Sequence, residues 1–183
     1  MNDFIQLLHE LFANKGKLIQ LRKGELLIKE GHIEQHLYFV KEGAIRAFYQ
    51  SEKEEYTIRF GYQGNIINSL ASYISQSPSE LCLEALKKTE VLALKKSQIE
   101  ELIYSNHENT IAYLHLIEHL VVQQIERETD LLIESPSARI ERVLKRSPNL
   151  FQHIPLKHIA SYLRMTPETL SRIRKHHPTD DKI

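Results

Sequence analysis

Near the C-terminal end of the chain, four polar side chains recur at the spacing of a single helical face. Residues 166–175 read Thr-Pro-Glu-Thr-Leu-Ser-Arg-Ile-Arg-Lys. Thr166 can cap a helix, and Pro167 suits the first helical position. At about 100° per residue, one face then carries Glu168, Ser171, Arg172 and Lys175. Arginine can hydrogen-bond to guanine, glutamate can accept from cytosine and lysine can contact phosphate, so this face could read the major groove of DNA.

A second apolar-patterned segment precedes this one and has to hold it in place. Ile159 and Leu163 lie four residues apart on one face, and the small Ala160 allows a neighbouring helix to approach. Leu170 and Ile173 supply the apolar side of the following segment. The two segments predict short helices joined by a tight turn. The alternative interpretation is an ordinary helical hairpin with a solvated charged face.

The charge of the chain divides at about residue 135. The 183 residues carry 24 Lys and Arg and 24 Asp and Glu, so the formal net charge is zero. Residues 1–135 hold 14 basic and 20 acidic residues (net −6), whereas 136–183 hold 10 and 4 (net +6). A basic segment joined to an acidic body indicates a nucleic-acid-binding module beside another domain. Its first helix carries four basic residues that face either phosphates or water: Arg139, Arg142, Lys145 and Arg146.

Several classes of protein are disfavoured by the composition. There is no apolar run of about 18 residues and no secretory signal at the N-terminus, so we expect a cytoplasmic protein with no membrane span. The single cysteine, Cys82, predicts no internal disulfide and no cysteine-ligated iron–sulfur cluster. We find no nucleophile–base pair and no phosphate loop, and we expect neither an enzyme nor a cofactor.

One short motif has the form of a metal site. His115-Leu-Ile-Glu-His119 has the spacing of an inverted zinc-peptidase signature, and two histidines at i and i+4 could share a metal ion. A third ligand is not evident downstream. Because so short a motif matches often by chance, we interpret it as polar residues on the flank of a helix.

The remainder of the chain predicts strands enclosed by helices. Between residues 17 and 94, apolar residues occur in eight short runs separated by glycine and charged pairs, which predicts an antiparallel sandwich or jelly roll. Residues 3–13, 95–105 and about 109–133 have helical spacing. The third helix has one apolar stripe, which predicts a dimerisation helix, with a core helix of a monomer as the alternative. The stripe consists of Ile111, Leu114, Ile117, Val121, Ile125 and Leu132.

Together, these motifs resemble the cyclic-AMP receptor protein and fumarate–nitrate regulator (Crp/Fnr) family of bacterial transcription factors. The resemblance rests on the helix-turn-helix sequence that begins Ile159-Ala-Ser-Tyr-Leu and on the strand sequences Lys23-Gly-Glu-Leu-Leu-Ile-Lys-Glu-Gly and Leu37-Tyr-Phe-Val-Lys-Glu-Gly-Ala-Ile-Arg. It implies an α+β fold, with a cyclic-nucleotide-binding-like β jelly roll and the dimerisation helix in residues 1–134. It further implies a helix-turn-helix domain in residues 135–183, with a reduced or absent wing. The expected partners are a second copy and a palindromic double-stranded DNA site.

The resemblance also suggests which residues contact DNA. The family reads bases with a Glu and an Arg of the second helix, which fall here on Glu168 and Arg172. Pro167 stands where the family often has Arg, and Arg164 stands where the family commonly has Gly, which predicts an altered turn. We predict base contacts by Glu168, Ser171 and Arg172 and phosphate contacts by Lys157, Ser161 and Arg174. Thr166, Thr169 and Lys175 complete the predicted set.

The predicted sensor pocket departs further from the family. A nucleotide cage needs a short helix whose N–H groups meet the phosphate, together with an Arg that pairs with it. Aligned with the family motif, its Gly-Glu pair falls on Asn68-Ser69, its Arg on Ser79, and a carboxylate follows at Glu80. The candidate pocket residues are Ile67, Asn68, Ser69, Leu70, Ser79 and Glu80. We expect no binding of cyclic AMP by the usual contacts, which leaves another small-molecule effector, a protein partner or no ligand.

Two functions therefore compete at the level of sequence. The first is a dimeric DNA-binding transcriptional regulator of the Crp/Fnr type. The second is a ligand- or protein-binding module of the same fold without DNA-binding activity.

Overall fold

Two antiparallel sheets form the N-terminal half of the molecule. The computed structural model describes residues 2–176, and the side chains of residues 4–175. One sheet has the strand order β1-β8-β3-β6 and the other β2-β7-β4-β5. All eight predicted runs form strands, and the jelly roll is confirmed. The strands are β1 (Lys17–Leu21), β2 (Leu26–Ile28), β3 (His36–Glu42), β4 (Ala44–Gln50), β5 (Glu55–Tyr62), β6 (Ile66–Ile67), β7 (Leu81–Ala85) and β8 (Thr89–Lys95).

The period of two along each strand decides which side chains enter the jelly-roll core. Val40, Ile45, Leu83 and Val91 are fully buried between the two sheets. The neighbouring Ala44 on β4 is equally buried, but it belongs to a second core shared with the C-terminal helices. The sheet that contains β4 is therefore covered on both faces, and its outer face carries the C-terminal domain.

Four helices belong to the N-terminal half. They are α1 (Asn2–Lys15), α2 (Leu70–Ser75), α3 (Lys96–Ile103) and α4 (His107–Leu132). Phe4, Phe12, Ile99 and Ile103 form a third core against β8, which confirms the helices predicted for residues 3–13 and 95–105. Asn106 caps α4, because its side-chain oxygen accepts the amide N–H of Asn109 at 2.8 Å.

The long helix α4 leaves most of its apolar stripe uncovered. It has 26 residues and is therefore about 39 Å long. Ile117 is half-buried, whereas the other five members of the stripe are exposed, from 40 % at Ile111 to 81 % at Leu132. An apolar face of this length is typical of a surface that a partner covers.

The C-terminal helices pack around a separate core. They are α5 (Pro136–Arg146), α6 (Leu150–His153), α7 (Leu156–Tyr162) and α8 (Pro167–His176). Ser135 caps α5, because its hydroxyl accepts the amide N–H of Ala138. A turn at residues 147–149 leads into the short helix α6. A wing would follow α8, but residues 177–183, on which this prediction falls, lie outside the described residues.

Candidate nucleic-acid interface

The helix-turn-helix is built by α7 and α8, whose apolar sides meet. Ile159, Leu163 and Leu170 are at most 2 % exposed, and together with Ala160 they form the contact between the two helices. Thr166 begins α8 as predicted, since its hydroxyl accepts the amide N–H of Thr169 at 3.2 Å. The two amphipathic patterns therefore produce the predicted packing.

The turn between the helices is held by arginine side chains. Arg164 adopts a left-handed conformation with φ of 54°, in agreement with the altered turn predicted there. Its guanidinium lies 4.2 Å from the ring centroid of Tyr56 in β5. Arg139 donates to the carbonyl oxygens of Leu163, Arg164 and Ile133, so it ties the turn to the end of α4. Backbone strain at Arg164 is therefore offset by contacts on both sides.

Most of the predicted DNA-binding side chains share the open face of α8. Glu168, Arg172 and Lys175 are exposed and Ser171 is half-buried. These four residues line an open depression of about 490 Å³ together with Leu156 and Pro167. The backbone N–H of Glu168 and the hydroxyl of Thr166 lower the pKa of the Glu168 carboxyl, which is therefore ionised and able to accept from cytosine.

Other members of the predicted set lie away from this face. Lys157 is exposed at the start of α7, and Thr166 is exposed at the turn beside the half-buried Thr169. The guanidinium of Arg174 stacks 4.6 Å from the ring centroid of Phe151, on the flank of α8. Neither Lys157 nor Arg174 lines the depression, and their phosphate contacts stay predictions.

Ser161 is a correction to the sequence analysis, because the jelly roll already occupies its hydroxyl. The hydroxyl accepts the amide N–H of Thr57 at 3.0 Å and donates to the carbonyl of Glu55 at 3.1 Å, so α7 lies along the edge strand β5. In this conformation Ser161 has no free hydrogen-bonding group to offer a phosphate. The spacing of apolar and polar residues along α7 does not predict that β5 contacts Ser161.

A bulge in β5 anchors the same junction to α4. Ile58 is an extra residue in the pairing of β4 with β5, and a bulge leaves backbone groups without ladder partners. Arg127 of α4 donates to the carbonyls of Ile58 and Thr57, at 2.9 and 3.1 Å. Its guanidinium also lies 4.5 Å from the ring centroid of Tyr162 in α7. Arg127 therefore joins α4, β5 and α7 in one contact.

A buried carboxylate joins α4 to α5. Asp130 is 1 % exposed, and its carboxylate accepts from Arg142 at 2.7 Å and from Arg146. Burial alone would raise the pKa of Asp130, but the hydrogen bonds from Arg146 and Arg142 outweigh burial and lower the pKa. The sequence analysis expected four basic side chains of α5 to face phosphates or water. Three of them, Arg139, Arg142 and Arg146, bind protein groups instead.

Two serines of the predicted sensor pocket are buried and bind each other. Ser69 and Ser79 are 1 % and 2 % exposed, and their hydroxyl oxygens are hydrogen-bonded to each other at 2.7 Å. Ile67 is buried in the jelly-roll core, and Asn68 and Leu70 are half-buried. Glu80 is exposed, whereas the preceding Ser79 is buried.

The buried carboxylate of this region belongs to Glu34, which the sequence analysis missed. Glu34 is 0 % exposed, and one oxygen accepts from the His36 amide at 2.9 Å and from the Tyr38 hydroxyl at 3.2 Å. The other oxygen has no hydrogen-bond partner among the described residues. Burial raises the pKa of Glu34. The backbone amides of His36 and Ser69 act in the opposite direction, but burial outweighs them. Glu34 follows a single aliphatic residue, Ile33, so no alternation of apolar residues marked this position as buried.

The backbone of Glu34 also contacts α2. The amide of Glu34 donates to the hydroxyl of Ser72 at 2.9 Å, and its carbonyl accepts from the side-chain amide of Gln76 at 3.2 Å. The loop before β3 and the short helix α2 are therefore joined through one residue.

The histidine motif on α4 lies on its exposed surface. The side chain of His115 is 59 % exposed, 3.9 Å from the Glu118 carboxylate, and His119 contacts Gln123. Within residues 4–175, the structure brings together no group of three His, Cys, Asp or Glu side chains that could hold a metal ion. None of the helices in the described part of the chain combines the length and apolarity needed to cross a bilayer.

Comparison with known proteins places these features in a wider context. Residues 18–106 match the cyclic nucleotide-binding domain family. Comparison with the curated proteins gives no match. Among solved structures, FixK2 from Bradyrhizobium japonicum is 20 % identical over 88 % of this chain and 83 % of its own, with a TM-score of 0.72.

Two further structures cover still more of the chain. A CooA mutant from Carboxydothermus hydrogenoformans is 13 % identical over 96 % of this chain and 84 % of its own, with a TM-score of 0.71. The Catabolite Activator Protein of Thermus thermophilus is 19 % identical over 97 % and 84 %, with a TM-score of 0.56. Residues 18–106 therefore match the cyclic nucleotide-binding domain family, and the chain as a whole shares the fold of FixK2, CooA and the Catabolite Activator Protein.

Proposed function

We propose that this protein is a dimeric DNA-binding transcriptional regulator of the Crp/Fnr type. The observation that carries the proposal is the division of α8 into two faces. Leu170 is fully buried against α7, while Glu168, Arg172 and Lys175 stand exposed on the opposite side. A helix supported in this way presents an acceptor, a planar bidentate donor and a cation to the base edges and phosphates of a major groove.

The uncovered stripe of α4 supports the dimer. Leu114, Val121 and Ile125 are each more than half exposed, and they follow one another at steps of seven and four residues. A second copy that packs along this stripe would remove the apolar surface from water. Two copies of α8 related by a two-fold axis would then read a palindrome whose half-sites are about one helical turn apart.

We further propose that the sensor does not bind cyclic AMP by the family's usual contacts. The two positions at which the family has a ribose-binding Glu and a phosphate-binding Arg are Ser69 and Ser79 here, and these hydroxyls bind each other. Serine is uncharged, so neither position supplies the positive charge that pairs with the phosphate in the family. Titration calorimetry with cyclic AMP should give no heat of binding, and a saturable signal abolished in Ser79→Val would contradict the proposal.

A DNA-binding measurement tests the main proposal. Fluorescence anisotropy at one fixed salt concentration compares the protein's own upstream region with a scrambled duplex of equal length, because affinity without a stated salt cannot be interpreted. We expect preferential binding to the upstream region. In Arg172→Ala this preference should fall by about 1–3 kcal/mol, the value of one bidentate base contact.

The matched control removes an equal charge from the sheet that does not carry the C-terminal helices. Lys17 is exposed on β1 in that sheet, so Lys17→Ala should retain the preference for the upstream region. Equal affinity of the wild type for both duplexes would favour the alternative function, a binding module without DNA-binding activity. The contact of Ser161 with β5 favours that alternative, because it withdraws one predicted DNA contact.

A further inference from the structure

The polar face of α8 has an apolar end. Pro167 is exposed at the first position of the helix, and Leu156, the first residue of α7, is half-buried. Both border the same open depression as Glu168 and Arg172. Proline has no N–H group, and neither side chain has a polar atom, so these two side chains present only carbon.

The position of Pro167 places this carbon surface beside the groups that would read bases. Pro167 and Ser171 are four residues apart, so they are neighbours on the same side of the helix. Pro167 also directly precedes Glu168. The N-terminal residues of a recognition helix are those that reach base edges. The apolar end is therefore within the part of α8 that a base pair would meet.

Only one group in the major groove is chemically suited to such a surface. Base edges there offer hydrogen-bond donors and acceptors, except for the C5-methyl group of thymine, which is apolar. A polar base edge placed against Pro167 and Leu156 would lose its water without gaining a partner, which is unfavourable. Arg172 and Lys175 on the same face supply the positive charge that holds the duplex close.

We propose that Pro167 and Leu156 form a contact for a thymine methyl group. Each half-site of the operator accordingly carries a T·A pair adjacent to the pairs contacted by Glu168 and Arg172. This inference rests on the proposed DNA-binding function and specifies part of the sequence that the protein recognises.

Substitution of single atoms in the DNA tests the inference. The operator is first selected from randomised duplexes with the full chain, and each thymine is then replaced singly by deoxyuridine, which removes only the methyl group. At one symmetric position in each half-site, deoxyuridine should weaken binding about fourfold, the effect of losing one buried methyl group. Replacement of the other thymines should have little effect.

Two variants assign the effect to the apolar end. Pro167→Ser keeps a residue suited to the start of a helix but introduces a hydroxyl, and it should bind the thymine and deoxyuridine sites equally. Arg172→Ala should bind both sites more weakly and keep the fourfold ratio. Circular dichroism of each variant must match that of the wild type.

The outcomes separate this inference from the proposed function. If no sequence is enriched in the selection, the DNA-binding function fails, and the thymine contact fails with it. If a site is enriched but no thymine is sensitive to loss of its methyl group, the function stands and the thymine contact is overturned. Retention of the fourfold ratio in Pro167→Ser would also overturn it, since the methyl group would then be sensed elsewhere.

Discussion

The buried carboxylate of Asp130 is the point at which one substitution should loosen the C-terminal helices from α4. The side chain of Asp130 is 2 % exposed and binds Arg142 and Arg146, whose side chains are 46 % and 31 % exposed. Asp130→Asn keeps the size of the side chain and removes its charge. The two arginines then lose an ionic acceptor, and the asparagine NH₂ group faces them without an acceptor.

The magnitude follows from these exposures. A hydrogen bond to a charged group contributes about 1.5–3 kcal/mol, and removing one member of a buried ion pair costs about 3–5 kcal/mol. Both arginines can recover water when the carboxylate charge is lost, so the cost is reduced. We expect Asp130→Asn to lower the free energy of unfolding by about 1–3 kcal/mol at neutral pH, measured by urea denaturation followed by circular dichroism.

The pH dependence of this difference has a definite sign. The arginine hydrogen bonds lower the pKa of Asp130 from 3.8 despite its burial, so the stabilisation is fully present above that value. It is lost as the pH falls through the folded-state pKa, because the unfolded state takes up the proton first. The gap between the wild type and Asp130→Asn should therefore be constant above about pH 5 and narrow below about pH 4.

A neighbouring residue provides the control for this experiment. Glu126 lies 3.7 Å from the same Arg146, but its side chain is 42 % exposed, so Glu126→Gln should cost at most about 0.5 kcal/mol. The reasoning is refuted if Glu126→Gln costs as much as Asp130→Asn. It is also refuted if the gap between the wild type and Asp130→Asn is unchanged down to pH 3.

Two further predictions concern the dimer and the turn. Val121→Asp places a charge in the uncovered stripe of α4, so sedimentation should show a monomer, and circular dichroism should show unchanged helicity. The control Gln123→Glu, on the opposite side of α4, should leave the proposed dimer intact. A dimeric Val121→Asp would exclude this stripe as the interface. Both Arg164→Ala and Arg164→Gly lose the stacking on Tyr56. Alanine is strained in the left-handed conformation of this position, whereas glycine adopts it without strain. The glycine variant should therefore be about 1 kcal/mol more stable than the alanine variant in urea unfolding, and the opposite order would show that the turn is not strained.

The local features of this protein could be predicted from its sequence because they depend on neighbours in the chain. Alternation of apolar residues identified all eight strands, and the Thr-Pro pair located the start of α8. The altered turn at Arg164 followed from the resemblance, because the family commonly has Gly at this position, and Arg164 has positive φ. Helical spacing likewise located the exposed stripe of α4 and the polar face of α8, since both depend on a period of 3.6 residues.

The contacts between elements were decided only by the tertiary structure. Spacing places Ser161, Arg139 and Arg146 on polar faces, but it does not state that β5, the turn carbonyls and Asp130 meet those faces. For the same reason, Glu80 appeared to supply the carboxylate of the sensor region, whereas the fold buries Glu34 beside Ser69. A residue's face is set by the geometry of its own helix or strand, but the group that covers this face comes from a segment tens of residues away, and only packing brings the two together.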